Sequence, residues 1–390
     1  MTNGPVRPKD KFLVFGAPAI EQPEIDDVVD SLKSGWLGTG PKVARFEDDF
    51  RRYTGAGAAV AVGSCTAALH LSMIASGLGA GDEVITTPMT FCASVNAIIH
   101  TGATPVLADI DPHTMNIDPA AVEKKITSHT RAIVPVHFAG RPCPMDALCD
   151  IAERHKLMII EDCAHAIETE YHGRHAGRFG KFGCFSFYVT KNVVTGEGGM
   201  VITDSDEGAA RIKVLALHGM SKDAWKRFSD DGFVHYQVIE PGFKYNMMDL
   251  QAAIGIHQLA RVEKNAIRRE EIWHRYDEAF AALPVETPAE PEPDTRHARH
   301  LYTLLIDEES AGISRDGFLQ AIQSQNVGAG VHYLSIPEHE YYRRAFGWRP
   351  EDMPNAMRVG RQTVSLPLSA RLTEEDVGDV IEAVRRIVLR

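Results

Sequence analysis

An α/β fold built on a largely parallel sheet flanked by helices is predicted for residues from about Gly55 to Asp204, and three observations predict it. Short apolar runs ended by turn residues alternate with helical stretches, the pattern of strand–helix–strand units. Polar groups stand just past the carboxyl ends of two runs, Gly63-Ser64-Cys65-Thr66 after one and Asp162 after another, on the edge where open α/β sheets bind ligands. The chain has 390 residues, 44% of them hydrophobic, which is enough core for a large domain plus a smaller one.

The elements follow in order. Before Gly55 the chain is loop-like, and Ser34-Gly35-Trp36-Leu37-Gly38-Thr39-Gly40-Pro41 is glycine-rich around one Trp. Val60-Ala61-Val62, a glycine turn, and Ala67 to Met73 read as strand, turn and helix, and Glu83–Thr86, Pro105–Ala108 and Arg131–Val136 as further strands. Met145 to His155 reads as a helix, and Leu157–Glu161 as a buried strand that delivers Asp162. The alternating run Phe185–Thr190 reads as a strand closed by Lys191, and Gly196-Glu197-Gly198-Gly199 as a loop that lets another molecule come close. Beyond Asp249 a long helix is expected from Leu250 to Leu283, with Ile254, Leu259 and Val262 at helical intervals. Pro284 to Pro293 is a linker, and from Arg299 a second set of strands and helices begins, one of them capped by Ser314. The expected division is a large domain over 1–250, N-terminal segment included, and a linking helix with a small α+β domain over 251–390.

Charge and cysteines narrow the function. With 41 Lys+Arg against 53 Asp+Glu the formal charge is -12, and no basic run is interleaved with aromatics, which argues against nucleic acid as a partner. An anionic substrate must be held by local cations and backbone amides. The six cysteines show neither a CxxC pair nor a metal-ligand spacing, so no metal is expected. No signal-like amino terminus and no run near the ~20 apolar residues of a membrane span are present, which leads to the expectation of a cytoplasmic protein without membrane contact.

Lys191 is placed for chemistry. An ammonium sheltered by aromatics loses proton affinity, and the neutral amine that attacks carbonyls becomes available, as a Schiff-base lysine needs; alone, it reads as well as a solvated strand-end lysine. Gly63-Ser64-Cys65-Thr66 at a helix start offers unpaired N–H groups and hydroxyls to a phosphate dianion, although glycine turns that open helices are ordinary. Phe91 can stack on a planar cofactor or simply pack in the core. Asp162 can be solvated, bind Mg2+, or keep a pyridinium nitrogen protonated, and His165 can reach that ring's phenolic oxygen. With Ser186 as a further hydroxyl, an anion cradle, stacking ring, carboxylate and amine together fit pyridoxal 5'-phosphate (PLP).

Gly63-Ser64-x-Thr66-Ala67-Ala68-Leu69, Glu161-Asp162-x-Ala164-His165-Ala166, Ser186-Phe187-x-x-x-Lys191-Asn192 with Glu197-Gly198-Gly199, and Pro241-Gly242-Phe243-Lys244-Tyr245-Asn246 stand in an order that resembles the DegT/DnrJ/EryC1/StrS sugar aminotransferases. The resemblance runs from Ser34 almost to the carboxyl end. Leu217-His218-Gly219-Met220-Ser221-Lys222-Asp223-Ala224-Trp225, Gly312-Ile313-Ser314-Arg315-Asp316 and Val331-His332-Tyr333 followed by Tyr341-Tyr342 bring it nearest to the UDP-4-amino-4-deoxy-L-arabinose aminotransferase-like enzymes acting at C4. It implies an aspartate aminotransferase-like fold (fold type I), a three-layer sandwich with a mainly parallel central sheet. It also implies a homodimer with shared active sites.

The resemblance makes Lys191 the Schiff-base residue and proton shuttle, Asp162 the partner of the ring nitrogen, His165 a contact to the ring hydroxyl, and Phe91 the stacking ring where relatives often carry Trp. It gives Ser64, Cys65 (mainly through its backbone) and Ser186 to the phosphate, with Asn246 arriving from the other subunit. Trp36, Lys222, Arg227, His332 and Tyr333 are expected substrate contacts. The reaction implied is ping-pong transfer of an amino group from L-glutamate, which leaves as 2-oxoglutarate, to a nucleotide-linked 4-keto sugar. A pyridoxamine-dependent (PLP/PMP) sugar dehydratase of the same family typically has His at the position of Lys191, and a non-catalytic regulatory relative would be expected to lose Lys191 or Asp162; these are the alternatives.

Overall fold

The computed structural model describes residues 4–221 and 237–389. Two amphipathic helices come first, α1 (Gln22–Ser34) and α2 (Pro41–Thr54), each with Pro in its first turn and each ended by a left-handed glycine, Gly35 and Gly55. Then strands and helices alternate: β1 (Ala58–Val62), α3 (Cys65–Ala75), β2 (Glu83–Thr86), α4 (Cys92–His100), β3 (Thr104–Leu107), α5 (Pro119–Lys124), β4 (Thr130–Val134), α6 (Met145–His155) and β5 (Met158–Asp162). A short hairpin, β6 (Glu170–Tyr171) and β7 (Arg174–His175), precedes β8 (Phe182–Ser186), β9 (Gly199–Thr203) and α7 (Asp206–Ala216).

The seven-stranded sheet has the order β1-β9-β8-β5-β4-β2-β3. Every pairing from β8 across to β3 is parallel, and β9 runs antiparallel to both of its neighbours. The expectation of a mainly parallel sheet is met, and β1 joins it as an antiparallel edge. Alternation along the strands feeds two cores. Val60 and Val62 pack with Leu69 and Leu215 on one face, whereas Ala59 and Ala61 pack with Phe46, Phe50 and Ile256 on the other.

The rest of the chain comprises α8 (Asp249–Ala260), α9 (Val262–Phe280), β10 (Thr295–Arg296), β11 (Tyr302–Leu305), α10 (Glu308–Ala311), α11 (Arg315–Ser324), α12 (Glu340–Phe346), α13 (Pro354–Gln362), β12 (Thr363–Leu366) and α14 (Glu374–Val388). β11 and β12 pair antiparallel, and Tyr276, Tyr302, Phe318 and Val384 close a separate core around them. Ser314 caps α11 as the sequence predicts, accepting from the Gly317 N–H. The N-terminal arm ties the two parts together. Leu13 bridges Val327, the Ala17 carbonyl accepts from Ser369 Oγ at 3.4 Å, and the Ala19 carbonyl accepts from Gln258 Nε2 at 2.7 Å.

Three expectations need correction. The segment before Gly55, expected to be loop-like, is mostly the helices α1 and α2, and Val43, Phe46 and Phe50 recur at helical spacing to bury one face of α2. The long helix over 250–283 is two helices, broken at Arg261 (φ -114°, ψ 11°), whose guanidinium turns to buried Glu24 and to the Ala19 carbonyl; Leu283 lies beyond the second helix. Apolar spacing runs through a one-residue break, so periodicity does not reveal it. The strand expected through Thr190 ends at Ser186, where its partner β9 begins opposite at Gly199. From Phe187 onward the chain folds back on itself, the Thr195 N–H donating to the Phe187 carbonyl at 2.8 Å. Lys191 therefore stands in a turn rather than at a strand mouth, its N–H donating to the Tyr188 carbonyl at 2.9 Å.

Candidate active site

The carboxyl edge of the sheet gathers most of the residues singled out from the sequence. Ser64 is the N-cap of α3, its hydroxyl accepting from the Ala67 N–H at 3.1 Å, and the amides that open the helix follow at Cys65 and Thr66. Beneath it β9 presses close: a Cβ on Gly199 would lie 2.5 Å from the Ser64 carbonyl carbon. Of the glycines expected to let another molecule come close, Gly199 instead admits the chain's own backbone, whereas a Cβ on Gly196 would meet nothing within 4 Å. Ser186 ends β8, buried beside Gly199.

Asp162 ends β5 and is buried. Its carboxylate accepts from Ser94 Oγ at 2.7 Å and from the Ala164 N–H at 3.1 Å, and the Cys65 thiol points at it from 4.0 Å. Among the described residues it makes no salt bridge, and burial raises its pKa. Burial also pushes the Cys65 thiol up, so it stays neutral. Burial pulls Lys191 down to about 8, against the opposing charge of Asp162. A buried carboxylate without a salt-bridge partner among the described residues, and an amine losing its proton near neutrality, are what a protonated ring nitrogen and an aldehyde would satisfy, so these residues fit PLP.

Three histidines surround the lysine. His165 Nδ1 accepts from the Ala139 N–H at 3.2 Å, which puts the proton of its neutral ring on Nε2, 2.9 Å from Tyr333 Oη. His300 lies against His165 with ring centroids 4.6 Å apart, and His332 Nδ1 meets Ser365 Oγ at 2.9 Å. Burial, followed by the charge of Lys191, lowers the pKa of all three, that of His332 to about 4, so all three are neutral at pH 7. Phe91 is the N-cap residue of α4, exposed, with its ring 5.9 Å from that of Tyr333.

Asn246, whose backbone bridges Val62 two residues before Ser64, and Trp36 stand together. They line a hollow of about 480 Å³ together with Thr39, Lys213 and Glu47, and Asn246 Nδ2 donates to Thr39 Oγ1 at 2.7 Å. Lys222 and Arg227 fall outside the described residues. Ser94 went unnoticed in the sequence; it is buried in the first turn of α4, three residues after exposed Phe91, and no motif marked it. His300 carried no signal either, whereas Asn192 stood beside Lys191 in a motif that carries the resemblance. His137, Glu161 and Cys163 stand close enough to suggest a metal, but His137 is bonded at both ring nitrogens, to Glu161 and to the Cys143 N–H. Glu161 also accepts the N–H groups of Gly177, Phe179 and Gly180, each at 2.7 Å, so the cluster is a closed structural network.

The family model of the DegT/DnrJ/EryC1/StrS aminotransferases matches residues 18–385. The chain belongs to that family. It is 50% identical to the spore coat polysaccharide biosynthesis protein SpsC of Bacillus subtilis over 98% of this chain and 99% of that protein. Its fold superposes on the putative sugar aminotransferase Spr1654 from Streptococcus pneumoniae, solved in apo-, PLP- and PMP-form, with a TM-score of 0.90 and 32% identity over 97% of this chain and 98% of that one. DesI, solved in the presence of its TDP-sugar product, gives a TM-score of 0.87 and 31% identity over 99% and 95%. The DegT/DnrJ/EryC1/StrS chain described here is thus a PLP-dependent sugar aminotransferase of the aspartate aminotransferase-like fold.

Proposed function

We propose that this sugar aminotransferase moves an amino group from L-glutamate to C4 of a nucleotide-linked 4-keto sugar, giving an amino-deoxy sugar. The observation that carries the reading is the pair at the sheet edge: Lys191 losing proton affinity beside buried Asp162, which has no salt-bridge partner among the described residues. PLP supplies an aldehyde and an electron sink when bound. Ser64 and Ser186 offer hydroxyls to its phosphate, and the Cys65 and Thr66 amides add the positive end of α3. Asp162 would hold the ring nitrogen's proton, with Ser94 and the Ala164 N–H orienting its oxygens, and His165 Nε2–H, which meets Tyr333 Oη in this structure, would turn to the ring hydroxyl. Phe91 would supply the stacking face. Lys191 Nζ would be the amine for the aldehyde and, when free, the base that carries a proton to and from the substrate carbon.

His332 and Tyr333 face the sugar in this reading, with Trp36 and the 222–227 stretch toward its nucleotide. A second copy brings Asn246 to the phosphate. That assembly is supported by α1, which leaves Ile25, Val29 and Leu32 exposed at helical spacing near exposed Trp36 and Leu37. The test is a panel of UDP- and TDP-linked 4-keto sugars incubated with L-glutamate, with the new amine located by NMR. Amination at C4 of at least one is the expected result; amination at another carbon, or of none while 2-oxoglutarate still forms with a different acceptor, overturns the substrate assignment. Lys191→Ala is expected to keep part of the cofactor binding and lose turnover.

A further inference from the structure

A lysine side chain has four rotatable bonds, so its amine is only as well placed as the backbone that carries it. Beyond the single bond from its own N–H to Tyr188, that restraint comes from the next residue. Asn192 Nδ2 donates to Glu168 Oε2 at 2.8 Å and to the Ala298 carbonyl at 3.1 Å, and its Oδ1 accepts from His300 Nδ1 at 3.0 Å. Because a carboxylate and a carbonyl only accept, the orientation of the amide is fixed, and with it the proton on His300 Nδ1.

The frame extends in both directions. Glu168 is buried and ion-paired with buried Arg269 of α9, which anchors Asn192 to the helix after the Arg261 break. On the other side the His300 N–H donates to the Ala139 carbonyl at 3.0 Å, while the Ala139 N–H donates to His165 Nδ1 at 3.2 Å. One residue, Ala139, and one ring contact therefore tie His300 to His165. A buried ion pair with attached amides is a poor source of stability compared with apolar side chains, whereas reacting groups lose rate steeply when misplaced by about 1 Å.

We propose that Asn192 and His300 are positioning residues, and that the frame from Arg269 through Glu168, Asn192 and His300 fixes the Lys191 backbone and the His165 ring relative to each other. The proposal rests on the reading of Lys191 as the residue that bonds the cofactor's aldehyde. Neither Asn192 nor His300 needs to touch substrate. Asn192 acts through the main chain it shares with Lys191, and His300 through His165.

The test uses the full chain, stripped of cofactor and mixed with PLP, with three readouts: the rate at which the cofactor's visible band forms, the circular dichroism of that band, and the site of borohydride-trapped cofactor by peptide mass. Asn192→Ala and His300→Leu are each expected to slow band formation on the order of 10- to 100-fold and to weaken its circular dichroism, with trapping still at Lys191. His300→Gln, which keeps a donor for Asn192, is expected to recover most of the rate, a rescue that loss of packing alone would not give. The idea is overturned if both disruptive variants form the band at the unaltered rate, or if Gln and Leu at 300 are equally slow. If Asn192→Ala does not fold, the Gln–Leu comparison at 300 decides. Trapping that falls elsewhere than Lys191 in the unmodified protein would refute the underlying assignment instead, and so is distinguishable from failure of the frame.

Discussion

Lys191→Met separates the cost of the lysine from its use. In the cofactor-free chain, burial brings the Lys191 pKa from 10.5 to about 8. With each pKa unit worth about 1.4 kcal/mol, the folded protein at pH 7 carries roughly 3 kcal/mol of strain from a charge that the unfolded chain holds freely in water. Met keeps the length of the side chain and removes the charge. Asp162 loses a nearby cation in exchange, so a net gain of about 2 kcal/mol is expected at pH 7.

The pH dependence has a definite sign. The folded pKa lies below the unfolded one, so between about 8 and 10.5 the unfolded chain binds more protons. The penalty is complete below about 8 and fades as the pH rises toward 10.5, so the advantage of the Met variant should shrink between pH 7 and 9.5. Urea unfolding of both cofactor-free proteins at the two pH values measures it, and subtraction of the two curves cancels other titrating groups. A Met variant that is no more stable at pH 7, or whose advantage grows with pH, would refute the reasoning.

Further expectations follow from close contacts. Gly199→Ala sets a methyl 2.5 Å from the Ser64 carbonyl carbon, so β9 and the α3 cap must part; a loss of about 1–3 kcal/mol in urea unfolding should come with weaker PLP binding by absorbance titration. Arg269→Met leaves Glu168 buried without its cation and should cost about 3–5 kcal/mol, measured by chemical denaturation. Glu161→Gln turns one accepting oxygen into a donor among three backbone N–H groups and should cost about 1–3 kcal/mol, read as a lower melting temperature.

Local chemistry was legible in the sequence, and long-range chemistry was not. α6 starts and stops at Met145 and His155 as its apolar spacing predicts, and Asp162 falls at the end of β5 because a buried run must stop where the sheet meets its ligand edge. Ser64 and Ser314 cap their helices through hydroxyls that reach three residues ahead, an interaction written entirely in neighbouring positions. That Lys191 stands in a turn was not legible, since alternation persists through Thr190 while the pairing partner ends earlier. Asn192 stood in a motif, but its bonds with Glu168 and His300 gave no sign, because Asn192 and His300 stand 108 positions apart and Glu168 and Arg269 stand 101 apart. Separations of that size leave no periodicity to read.

The N-terminal arm bears on how such a chain is made. Residues 13–19 leave the ribosome long before the groups that receive them, since Ala17 and its partner Ser369 stand 352 positions apart. Gly16 of the same arm lies over Thr190, beside the turn that carries Lys191, so the cover over that turn cannot be set until Val327 and Ser369 have been synthesised. A nascent chain not yet extended to Val327 would therefore hold Lys191 without the cover that its own earlier residues later provide.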